Sequence, residues 1–287
     1  MPLAETGTLV TEAAARGRAV AAFNIVTLEH AEAVIAGAEA VGSPVVLQIS
    51  ENAVKFRYGR VLPLARAAAA AAHAAAVPVA LHLDHVKSDE LLRQAADAGF
   101  SSVMYDAAHL PYEENLAATR AAADWAHRHG LWIEAELGEV GGKGGAAPLD
   151  AHAPGARTDP VEARAFVAAS GVDALAVAIG SVHAMTSRTA TLDHGLLGRL
   201  AKALHVPLVL HGSSGVPDGE LAAAVSGGMA KVNIGTALNV AMTAAIRDYL
   251  ASNPEAVDSR TYLSVGRRAM SRTVTALIGV LGTAETG

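Results

Sequence analysis

The chain has no cysteine, and aromatic residues make up only 4% of its 287 positions. The first absence removes disulfide scaffolds, thiolate zinc sites and cysteine nucleophiles together. Basic residues are not in excess either: 22 Lys and Arg stand against 28 Asp and Glu, a net charge of −6. A phosphate backbone needs a basic face, so nucleic acid is not expected as a partner. Long apolar runs are also missing. The Ala-rich stretch 67–80 reads as a helix broken before Pro78, and no segment is long enough to span a bilayer. The N-terminus has no basic residue ahead of a long apolar stretch, so the cytoplasm is expected and no membrane partner is. What is plentiful is apolar surface: 52% hydrophobic residues exclude disorder, and the length suffices for a full core.

Eight short β-rich runs recur along the chain: 20–24, 44–50, 78–84, 101–106, 131–137, 173–179, 207–212 and 230–235. Stretches of helical composition lie between them, and glycine or proline stands just before several strands, as in Gly42-Ser43-Pro44, Val77-Pro78 and Val206-Pro207. A repeat of roughly thirty residues is the size of a βαβ unit and implies a parallel sheet. The expected architecture is therefore α/β, a (β/α)8 TIM barrel with an extra N-terminal helix (3–16) and a C-terminal helical extension (about 260–282), as one domain over 1–287. A doubly wound open sheet is the alternative. It would gather its chemistry at one switch point, whereas here nearly every strand ends in a polar residue: Asn24, Ser50, Asp84-His85, Asp106, Glu134 and Glu136, His183, His211 and Asn233.

His85, His183 and His211 stand at equivalent strand ends, and three imidazoles with an open fourth position form a catalytic zinc arrangement. Other histidines, including His30, His73 and His127, fall in helical or loop contexts and read as solvated. Asp84 precedes His85, shares a strand face with His82, and can serve beside a metal as general acid and base or as an orienting partner. Glu134 and Glu136 share an interior face near Asp106, which suggests either a second cation position or support for the ligands. The loops at 211–215 (HGSSG) and 233–236 (NIGT) follow the last two strands, where barrels hold phosphate on backbone N–H groups. Lys231 allows a Schiff-base reading, but a salt-bridged interior lysine is favoured. Metal-assisted hydrolysis is a further alternative. The Gly- and Pro-rich segment 138–158 is expected to close as a lid.

These motifs, LHLDH (81–85), 99–115, 133–142, 175–185, 208–215 and KVNIGTAL (231–238), resemble the class II, metal-dependent ketose-bisphosphate aldolases over almost the whole chain, closest to the fructose/tagatose-bisphosphate group. The resemblance implies a lyase that cleaves a ketose 1,6-bisphosphate, foremost fructose-1,6-bisphosphate, to dihydroxyacetone phosphate and an aldehyde such as glyceraldehyde 3-phosphate. Tagatose-1,6-bisphosphate, another phosphosugar, or a divergent metal-binding barrel with weak or no activity are the alternatives. It further implies Zn2+ on His85, His183 and His211, with Asp84 as acid and base. Glu136 and Asp106 would serve a second or alternate metal position. Gly212, Ser214, Asn233 and Thr236 would bind dihydroxyacetone phosphate, with a monovalent cation, Na+ or K+, nearby. Asn24 and Ser50 join the substrate-binding candidates, and Arg267 is the candidate ligand of the distal phosphate. Relatives of this kind are homodimers or homotetramers. The chain departs from the family pattern at Val86, Ala108, Ala184, Ser187-Arg188, Gly235 and Asn239, and at Gly144, where an acid is usual and Asp150 is a candidate replacement.

Overall fold

The computed structural model describes residues 3–138 and 156–282. Most of the expected lid (139–155), with Gly144 and Asp150, lies outside them. Eight parallel strands, β1 (Val20–Asn24), β2 (Val45–Ser50), β3 (Val79–Val86), β4 (Ser102–Tyr105), β5 (Trp132–Leu137), β6 (Ala174–Val177), β7 (Leu208–Leu210) and β8 (Met229–Ile234), pair in sequence order and close into a barrel. The open-sheet alternative is thereby excluded. Their burial is almost continuous from end to end, as expected for strands covered on both faces.

Helix α1 (Thr6–Ala15) and α2 (Leu28–Glu39) flank β1, and a long helix, α12 (Ser259–Val280), ends the described chain. Both extensions expected from the sequence are present. α1 has its own task. Its Leu9 and Ala13 pack with Val20, Ala22, Val46 and Ala80, a layer of small side chains inside the barrel. A Cβ on Gly7 would meet the Trp132 ring at 2.7 Å, so only glycine lets α1 lie this close. The Ser102 hydroxyl donates to Thr6 Oγ1 at 2.7 Å and stitches the helix to β4. α1 thus plugs the floor of the barrel. Polar strand ends are left at the opposite mouth.

Local chemistry shapes that mouth. Ser50 ends β2 and caps α3 (Glu51–Phe56), its hydroxyl accepting from Ala53 N. Between β3 and β4 the pairing moves from Leu83↔Val103 to Val86↔Tyr105, so β3 spends one extra residue. This bulge holds Asp84 and His85, and His85 adopts φ 51°, in the left-handed region. Neighbours on a regular strand would face opposite ways. The bulge lets both reach the mouth.

Candidate active site

A cavity of about 470 Å³ opens at the mouth, lined by Asn24, Ser50, Asp84, His85, Asp106, His183, Gly212, Ser214, Asn233 and Thr236 among others. Ten of the thirteen residues expected in the site line it, and His211 and Glu136 stand directly behind them. Its centre is the cluster of His85, His183 and His211, whose ligand nitrogens all lie within 4.8 Å of one another. Ring centroids are 5.2 Å apart for His85 and His183 and 4.7 Å for His85 and His211. Three converging imidazoles with carboxylates behind them are the donor set of a catalytic divalent-metal centre.

Each imidazole is held by a neighbour. His85 Nδ1 donates to Asp106 Oδ2 at 3.1 Å. His211 is gripped on both sides: Nδ1 lies 2.8 Å from Glu136 Oε2, and Nε2 lies 2.8 Å from Glu134 Oε1. Asp106 and Glu136, which the resemblance assigns to a second or alternate metal position, stand here as partners of the histidines, the supporting role the sequence also allowed. Glu136 does not line the cavity. Burial alone would lower the His211 imidazole, but the hydrogen bonds and charges of Glu134 and Glu136 outweigh it and push it up to about 9. Burial conversely holds His82 at about 3, with the Lys231 ammonium acting the same way.

Asp84 is almost fully buried, yet it reaches the cavity. Its Oδ2 accepts from Asn24 Nδ2 at 2.8 Å, and among the described residues Oδ1 has no donor. Burial by itself would raise this carboxyl, but the imidazoles of His85, His82 and His211 and the Lys231 ammonium prevail and hold it at about 2. It is an ionised carboxylate, one oxygen of which receives no hydrogen bond among the described residues. Asn24, expected to touch substrate, also fixes Asp84. Behind it, His82 Nδ1 donates to Ser102 Oγ at 2.7 Å.

The loops after β7 and β8 line the same cavity. Gly212 has φ 65°, and a Cβ there would come within 2.7 Å of the Val182 backbone. Only glycine fits this crossing of the loops that carry His211 and His183. Ser214 Oγ accepts from Ala237 N in the first turn of α11 (Thr236–Ser252), whose N-terminus thus faces the cavity. Lys231 is fully buried and donates to Glu134 Oε2 at 2.8 Å and Asn233 Oδ1 at 2.9 Å, the salt-bridged state that was favoured.

Arg267 stands apart from the other expected residues within this chain. It lies on α12, outside the barrel, in an ion pair with Glu32 of α2, and it does not line the mouth. The VGRR motif sits in a helix that packs on α2 rather than at a strand end. Arg188 likewise turns away, to Asp218 at 2.6 Å and the Val216 carbonyl. His30, expected to be solvated, is buried and bonds to Asn239 at 3.2 Å; Asn239 lines the cavity. Glu51 was missed altogether: its Oε2 accepts from Lys87 N at 2.7 Å and ties the β2 loop to the β3 loop. An acid directly after a strand-ending serine was the available signal.

A family model described as fructose-bisphosphate aldolase class-II matches residues 4–286. The chain belongs to this family. Among relatives, the fructose-bisphosphate aldolase of Staphylococcus aureus (strain Mu50) is 37% identical over 287 residues, covering 99% of both chains. Of solved structures, the YdjI aldolase from Escherichia coli K12 superposes with a TM-score of 0.84 at 31% identity, covering 99% of this chain and 98% of that one. Fructose-bisphosphate aldolase (Fba) from Campylobacter jejuni gives 0.82 at 25% identity, covering 100% and 97%. The enzyme is thus a class II aldolase, a carbon–carbon lyase.

Proposed function

We propose that this aldolase cleaves a ketose 1,6-bisphosphate, foremost fructose-1,6-bisphosphate, to dihydroxyacetone phosphate and glyceraldehyde 3-phosphate, with Zn2+ on His85, His183 and His211. The observation that carries the reading is the Asp84 carboxylate, fixed by Asn24 and with one oxygen free of hydrogen bonds among the described residues, beside three imidazoles that converge on one point. A divalent ion bound there supplies Lewis-acid polarisation of the ketose carbonyl and stabilises the charge left on carbon when the C3–C4 bond breaks. The chain does the rest. Asp84 takes the C4 hydroxyl proton as C4 becomes the aldehyde carbonyl, one proton is added at C3 to complete dihydroxyacetone phosphate, and both transfers run in reverse in condensation. The N–H groups of the Gly212–Ser214 turn and of the α11 N-terminus hold the C1 phosphate, with Asn233 and Thr236 beside them. Ser50 lines the same cavity.

The finer expectations are proposals of the same kind: a monovalent cation by the anion loops, a homodimer or homotetramer, one domain over 1–287 and the cytoplasm as compartment. An outward α11 with Val240 and Leu250 exposed supports self-association. Aldol cleavage should be assayed on fructose- and tagatose-1,6-bisphosphate, with metal analysis of the same sample. Activity that is lost on EDTA treatment and restored by zinc is expected, with fructose-1,6-bisphosphate the better substrate. Full activity in the stripped protein would overturn the metal reading, and a preference for the epimer would overturn the substrate.

A further inference from the structure

The imidazole of His211 has two nitrogens, and a carboxylate holds each of them. A metal needs the lone pair of one, so one carboxylate must give way when an ion enters. The two are not equivalent. Glu134 spends both oxygens: Oε1 on His211 and Oε2 on the Lys231 ammonium, with all three side chains fully buried. Moving it would strip a buried cation of its countercharge, which is far costlier than losing a surface pair. Glu136 lies two residues further along β5, toward the mouth where the other two imidazoles stand.

Building on the three-histidine metal centre proposed above, we propose that Lys231 is a positioning residue for it. Lys231 anchors Glu134, Glu134 fixes His211 through Nε2, and Nδ1 is thereby the nitrogen that takes the ion, with Glu136 the carboxylate displaced. Lys231 also donates to Asn233, which lines the cavity, so one buried ammonium sets both a metal ligand and a residue of the substrate pocket. The lysine forms no bond to substrate. It acts through the orientation of one ring.

Full-length protein labelled with 15N-histidine and loaded with 113Cd2+ tests this directly, with the His211 signals assigned by their loss in His211→Gln. Coupling of 113Cd to His211 Nδ1, with a proton on Nε2, is expected; coupling to Nε2 would overturn the proposal. Lys231→Met and Glu134→Gln should each weaken zinc binding 10–100-fold in a chelator competition, the usual cost of losing a partner behind a metal ligand. Affinity within twofold of the parent in a folded variant would also overturn it, since a merely structural lysine would change stability alone. Should Lys231→Met fail to fold, the near-isosteric Glu134→Gln and the parent's 113Cd spectrum decide. Parent-like zinc affinity in His211→Gln would instead sink the metal centre, and this proposal with it.

Discussion

At the scale of single residues, the site depends on side chains whose charge is set by what surrounds them. Asp84 is the clearest case: Asp84→Asn keeps shape and burial but cannot accept a proton, so kcat should fall about 10²–10⁴-fold with metal content unchanged. Retained turnover with intact metal would show that another group carries the proton. Two buried histidines set opposite limits on pH. His82 sits far below its free value of 6.5, so it stabilises the fold above pH 6.5 and that contribution is lost as pH falls toward about 3. His211, in the metal-free protein, sits above 6.5, so its contribution is full below pH 6.5 and is lost as pH rises through about 9. Denaturant unfolding in chelator should therefore give greatest stability near pH 6.5, falling on each side by up to about 1.4 kcal/mol per pH unit. A flat curve from pH 6.5 to 9 would contradict the His211 arm. Ala184 departs from the family's usual glycine and pays for it in its backbone, with φ 60°. Ala184→Gly should stabilise the protein by about 0.5–1 kcal/mol, the left-handed strain removed less the flexibility added, read as a higher midpoint in urea.

At the scale of elements, the eight strands were legible because each is a short apolar run punctuated by glycine or proline, and the structure places all of them close to where the sequence did. Strand-end histidines followed from that placement. The bulge did not, because the letters Asp84-His85 carry no sign of an extra residue in the pairing or of a left-handed φ. The setting of Arg267 was hidden for a related reason: a motif shows a residue type, while helix packing on α2 decides which way it faces. His30 was misread because helical periodicity alone does not say which face meets the barrel. Gly212→Ala is the sharpest test of an element junction. A methyl there meets the Val182 backbone and the φ is wrong for alanine, so a loss of about 2 kcal/mol is expected, together with weaker metal binding. Unchanged stability would mean the two loops can part freely.

At the scale of the whole molecule, the barrel is a packed cylinder with a sealed floor and one polar mouth. Leu9→Ala should cost about 2–4 kcal/mol in unfolding free energy, because it opens the layer that α1 closes against Val20 and Val46. A smaller loss would show that the floor collapses around the gap. The seal also governs traffic. With α1 in place, an ion, a sugar and the two halves of that sugar share the mouth as their doorway among the described residues, so whatever is lodged there bars the rest. Saturation with dihydroxyacetone phosphate should accordingly slow the stripping of the bound metal by a chelator, making protection of the ion a direct measure of occupancy.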